Sequence, residues 1–171
     1  MSKRDLKKYL NELQKDQLEE QIIALYDKFP AVKTYFDFVF SPKEDQLMKE
    51  AKIKISNEYF PIKGRKPKMR RSVAQKFIKH FITLGVDPFR IADLMLYTIE
   101  IAQSLSSERV IKQESFFKSI LSSYQQAISF MIANGILYEF QSRVEAINQE
   151  TTRQAWFNTF EFNAIIERLD Y

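Results

Sequence analysis

Only three glycines interrupt the 171 residues, and between them apolar side chains recur at spacings of three and four over long stretches. That pattern commits the backbone to helices joined by short turns, because strands need apolar residues at every second position and no stretch shows this convincingly. Local start and stop signals divide the chain. A helix over about 3–13 begins on Ser2 as its cap and gathers Leu6, Tyr9, Leu10 and Leu13 on one face. A second opens at Asp16, where Asp16 and Glu19 have the spacing of a capping box, and continues through Leu18, Ile22, Leu25 and Phe29. The two predict an N-terminal helical hairpin over 1–29. Pro30 then breaks or kinks the chain before an aromatic-rich turn of Tyr35, Phe36, Phe38 and Phe40. Ser41 as cap and Pro42 at the first helical position restart it in a helix reaching about Tyr59.

Pro61, Gly64 and Pro67 prevent that helix from continuing. The next spans about 69–84, and Gly85 supplies a left-handed stop. Asp87-Pro88 caps its successor, about 89–105, which is apolar on most sides through Ile91, Leu94, Met95, Leu96, Ile99 and Ile101 and is therefore expected at the middle of the fold. Further helices are expected over about 114–133, ended by Asn134-Gly135, then through Leu137, Phe140, Val144 and Ile147, and finally over about 151–169. No linker composition separates these segments. The expectation is a single helical domain over 1–171, an all-α irregular bundle of about seven to nine helices, with stacked helical hairpins as the alternative arrangement.

Several kinds of chemistry are disfavoured by residue content. Cysteine is absent, so disulfides, thiolate nucleophiles and Cys-based metal sites are excluded. The one histidine, His80, cannot build a multi-histidine metal site, and no nucleophile motif lies beside it. Glycine-rich phosphate loops and inward Glu-x-x-His pairs are missing too. Glu19-Glu20 and Glu44-Asp45 fall on polar helix faces. Glu100 lies inside the most apolar helix, where an ion pair or a polar edge is the expectation ahead of catalysis. No enzyme activity, cofactor or metal is expected. No apolar run is long enough to span a membrane, and no secretory signal pattern opens the chain, so a cytoplasmic location without membrane association is expected.

The feature that points outward is electrostatic. From Tyr59 to Val86 there is no Asp or Glu, yet Lys63, Arg65, Lys66, Lys68, Arg70, Arg71, Lys76 and Lys79 are all cationic. Removing these eight from the 26 Lys and Arg leaves 18 against 22 Asp and Glu, so the high pI of about 9.1 originates in this one stretch. Pro61, Gly64 and Pro67 stiffen a loop over 60–71 from which the first cations project, while Lys76 and Lys79 lie opposite the Val73, Phe77 and Phe81 face of the following helix. Such a surface suits phosphate, and nucleic-acid binding is the leading expectation, with these eight residues as the contact set. An adaptor whose basic loop docks an acidic protein partner is the alternative. The structural reading is a solvated face or pairing with the protein's own carboxylates. Tyr59 and Phe60, which precede the loop, read as core anchors ahead of stacking platforms for bases.

The segments Ser2-Lys3-Arg4-Asp5-Leu6-Lys7-Lys8-Tyr9-Leu10, Lys63-Gly64-Arg65-Lys66-Pro67-Lys68, and Ser72-Val73-Ala74-Gln75-Lys76-Phe77-Ile78 with Gly85-Val86-Asp87-Pro88 carry a resemblance over nearly the full length. The sequence resembles a family of uncharacterised bacterial proteins of unknown function. That resemblance implies a helical fold and a bacterial, cytoplasmic origin, and it brings no activity with it.

Overall fold

The computed structural model describes residues 2–62 and 64–169. Among the described residues there are nine helices and no strand, so the all-α expectation holds. The chain divides into two compact units, Met1–Lys43 and Glu44–Tyr171.

The first unit contains α1 (Lys3–Glu12), α2 (Lys15–Lys28) and α3 (Pro30–Phe40). Ser2 caps α1 as predicted. Its hydroxyl accepts the Asp5 amide at 3.2 Å, and its own amide donates to the Asp5 carboxylate at 2.9 Å. The start of α2 lies earlier than the Asp16 signal indicates. The Gln14 amide donates to Gln17 Oε1 at 2.9 Å, which satisfies the helix end two residues sooner. Pro30 does interrupt the chain, since α2 ends at Lys28 and Phe29 is extended, but it opens α3 at once where a turn was expected. At the first helical position its missing N–H leaves no bond unmade, so Tyr35, Phe36, Phe38 and Phe40 are helical residues. Ser41 closes this helix, its amide donating to the Asp37 carbonyl at 3.1 Å, so it cannot also cap the next one. None of the described side chains of α1, α2 or α3 is fully buried, and they hold together through half-buried contacts. Tyr26 packs near Phe36 at 6.5 Å, and its hydroxyl donates to Asp37 at 2.9 Å.

The second unit contains α4 (Glu44–Tyr59), α5 (Arg71–Leu84), α6 (Pro88–Glu108), α7 (Glu114–Ala133), α8 (Leu137–Arg153) and α9 (Thr159–Ile166). Its start at Glu44 corrects the expected restart at Pro42. The predicted turn into α6 is as expected: Gly85 is left-handed at φ 78°, and the Asp87 carboxylate accepts the Phe89 amide at 2.8 Å. Helix α6 lies at the middle, packed against α4, α5, α7 and α8. Leu94, Leu96, Ile99, Ala102 and Leu105 are completely buried along it.

One stripe of α6 stays polar. Asp93 and Glu100, two turns apart, are bridged by Arg143 of α8. The guanidinium donates to Asp93 at 2.6 Å and to the two Glu100 oxygens at 2.5 and 2.8 Å. Lys52 of α4 meets the other Asp93 oxygen at 2.6 Å. Partial burial would raise the Asp93 carboxyl, but the hydrogen bonds from Lys52 and Arg143 outweigh it and hold the group below its ordinary value. Three helices are thereby joined at their half-exposed edges, and Glu100 is an ion-paired residue.

The expected helix over 151–169 is replaced by two pieces. α8 continues to Arg153, Ala155 turns left-handed at φ 52°, and only Thr159–Ile166 is helical afterwards. The break tucks Trp156 inward to 5% exposure against the rings of Phe116, Phe117 and Phe162. Burial of that indole and its edge-on ring contacts stabilise the reversal. No helix among the described residues is long and apolar enough to cross a membrane. Truncating the central helix at Leu96→Ala is expected to lower unfolding free energy by about 2–5 kcal/mol, read from the midpoint of urea denaturation; an unchanged midpoint would remove α6 from the centre of the core.

Candidate anion-binding loop

The basic segment begins where α4 ends in the core. Ile55 and Tyr59 are buried on the last two turns, and burial pushes the Tyr59 phenol up to about 12. Tyr59 is therefore the anchor the sequence suggests, and half-buried Phe60 follows it. The chain then runs out through Pro61 and Ile62, the latter 70% exposed, and turns at Gly64, whose φ of 66° is a conformation in which a side chain would be strained.

The way back is fixed by one residue. The Glu58 carbonyl accepts the amides of both Lys68 and Met69, at 2.9 and 3.0 Å. The Glu58 carboxylate then takes Arg70 in a two-pronged pair, Nε to Oε2 at 2.8 Å and Nη2 to Oε1 at 2.7 Å. With its side chain only 12% exposed, Glu58 closes the loop at its base. The hydrogen bonds from Arg70 keep the Glu58 carboxyl below its ordinary value, against the opposing effect of burial. Met69 accepts a left-handed φ of 51° to make this closure.

The cations of the segment therefore fall into distinct groups. Arg70 is held by Glu58. Arg71 turns inward, its Nε donating to Ser123 of α7 at 2.9 Å, and burial lowers its guanidinium from the ordinary value. Arg65, Lys66 and Lys68 are exposed and line a recess of about 320 Å³ with Asn57, Pro61 and Ile62. Lys76 and Lys79 are exposed on α5 along a face shared with Ser72, His80 and Thr83, opposite the buried Ala74, Ile78 and Phe81. Among the described residues none of these five makes a salt bridge. Lys63 lies outside the described residues.

Two contributors were not visible in the sequence reading. Glu58 sits ahead of the acid-free stretch, and only chain closure brings it to Arg70. Lys54, a turn earlier on α4, places its ammonium 5.6 Å from the centre of the Phe77 ring and adds an exposed cation beside α5. Its position one helical turn before Glu58 was the available signal.

A family model described as a family of unknown function, DUF6155, matches residues 1–170. No curated protein and no solved structure matches the chain.

The Glu58 closure carries a pH signature. Its folded carboxyl is depressed, so its stabilisation is complete above the ordinary value of 4.5 and is lost as pH falls through the lowered folded value. Glu58→Gln is expected to be less stable than the parent by about 1–2 kcal/mol near neutral pH, with the gap narrowing in acid. The Lys68 and Met69 amides should exchange with solvent faster in the variant. Equal stability and exchange at every pH would show that the charge pair does not hold the loop.

Proposed function

The chain belongs to the DUF6155 family, whose description assigns no activity, and from that premise we propose that it is a binding protein whose basic loop and α5 face hold the phosphates of nucleic acid. The observation that supports this most is the sorting of the cations. Arg70 and Arg71 build the loop, while Arg65, Lys66, Lys68, Lys76 and Lys79 point to solvent without a carboxylate partner among the described residues. A protein that used this segment only to balance its own acids would pair them, since 22 Asp and Glu are available in the chain. Left unpaired, the three cations of the recess repel one another and condense anions, and a phosphate backbone supplies a row of them with release of its own counterions. The activity is binding and not catalysis.

Ile62 favours a second reading. An apolar side chain 70% exposed beside the cations is the kind of contact an acidic protein partner would cover. The two readings separate by salt. Phosphate binding falls linearly in log affinity against log salt, with a slope of about −0.7 to −0.9 per neutralised phosphate.

Reversal of Arg65, Lys66 and Lys68 to Glu is expected to weaken binding of generic DNA or RNA at least about ten-fold at moderate salt and to flatten the slope by about two to three contacts. Arg153→Gln, which removes a cation of α8 paired with Glu150 and leaves the loop intact, should change the slope little. The measurement is fluorescence anisotropy across a salt series. Equal affinity before and after the triple reversal eliminates this surface as a nucleic-acid contact.

A further inference from the structure

Beside the loop recess lies a larger cleft, about 720 Å³, between α4 and α6. The two concavities share Asn57, which lines both, so the cleft adjoins the loop recess at that residue. It follows α4 from Asp45 to Asn57, about 18 Å at the rise of an α-helix. Its size falls in the range of sites that enclose flat organic groups.

The cleft differs in chemistry from the loop. Ile53 of α4 and Phe89 of α6 both line it and remain 51% and 44% exposed, the Phe89 ring also lying 6.1 Å from that of Phe140, although a cleft between packed helices normally buries such side chains. Its charged residues are mostly neutralised within the protein: Arg90 by Glu44 at 2.9 Å and by Asp45 at 2.5 Å, and Lys52 by Asp93 at 2.6 Å while lying 5.2 Å from the Tyr97 ring centre. Lys49 is the cation of the lining that makes no salt bridge among the described residues. The cleft therefore presents an apolar slot with one uncompensated positive charge in its lining, and at Asn57 it adjoins the recess lined by Arg65, Lys66 and Lys68.

Resting on the phosphate-binding reading, we propose that the occupant is a single nucleic-acid strand whose phosphates lie on Arg65, Lys66, Lys68 and Lys49 and whose bases enter the cleft against Phe89 and Ile53. A duplex keeps its base faces stacked on one another and can offer only its phosphates. A single strand exposes those faces, and stacking on an aromatic ring is tolerant of base identity. The juxtaposition of an apolar slot with an unpaired cationic loop matches the single strand and leaves the slot unused by the duplex.

The test compares three labelled probes of one length on the full chain by anisotropy: an oligothymidylate, an abasic strand with the same phosphates, and a duplex. The oligothymidylate is expected to bind about ten-fold or more tighter than the abasic strand. Phe89→Ala should weaken the oligothymidylate about five-fold to a hundred-fold and leave the abasic strand unchanged, while Phe89→Trp retains binding. Because Phe89 is nearly half exposed, these variants keep the fold, which a matching urea midpoint verifies. If all three probes bind alike, Phe89→Ala changes nothing and loop reversal weakens all of them, the cleft inference is overturned while the phosphate reading stands. If none of the probes binds, both fall.

Discussion

Glu58 joins the end of α4 to the start of α5, and the shape of the basic segment depends on it. Its carbonyl receives two amides and its carboxylate receives a guanidinium, so a single residue supplies both the backbone and the electrostatic side of the closure. Physically this matters because a loop rich in like charges would otherwise open to separate them. Placing one acid at the base offsets that repulsion without filling the rim. The cations farther out keep their charge and their solvent exposure. Arg71 contributes from the other side by turning towards Ser123 of α7, which ties the first turn of α5 to a core helix.

The closure is useful only because α4 is itself held in place. Its buried residues Met48, Ala51, Ile55 and Tyr59 lie on one face, and α4 packs against α6. The chain of Lys52, Asp93, Arg143 and Glu100 then fixes the half-exposed edges where side-chain packing is weakest. Such pairs add modest stability when partly solvated, and their main effect is geometric. They keep the walls of the α4 and α6 cleft at a set separation and absorb charges that would otherwise disturb its apolar lining.

Much of the fold was legible because the chain signals helices redundantly. The apolar circumference of α6, the Ser2 and Asp87 caps and the left-handed Gly85 each depend on neighbours within a few positions, which is the range over which sequence pattern acts. The misreadings have a common cause. Proline starts a helix as readily as it ends one, and at Pro30 only the free position of its nitrogen in the first turn decides between them. Ser41 is taken up by the end of α3, and at Asp16 the capping spacing is repeated two residues earlier by Gln14 and Gln17, which is where the helix starts. Trp156 breaks the final helix for the sake of an aromatic cluster assembled from α7 and α9, and no local signal announces that. The same limit applied at the candidate site. The cations were plain in the sequence, but which of them are occupied was set by Glu58 and Ser123, and Phe89 reaches the cleft from a helix beginning some thirty residues after Tyr59.

The manner in which the loop is shut separates its scaffold from its contents. Its base is secured by one carbonyl, one carboxylate and Arg70, and among the described residues none of the exposed side chains of Ile62, Arg65, Lys66 and Lys68 is among the groups that fasten it. Ile62, Arg65, Lys66 and Lys68 are free to change in charge, size or number of contacts while the frame stays intact, whereas the left-handed Gly64 is not. A family built on this helical body could therefore exchange its recognition surface from member to member by point substitution alone, with the tether left as the invariant part.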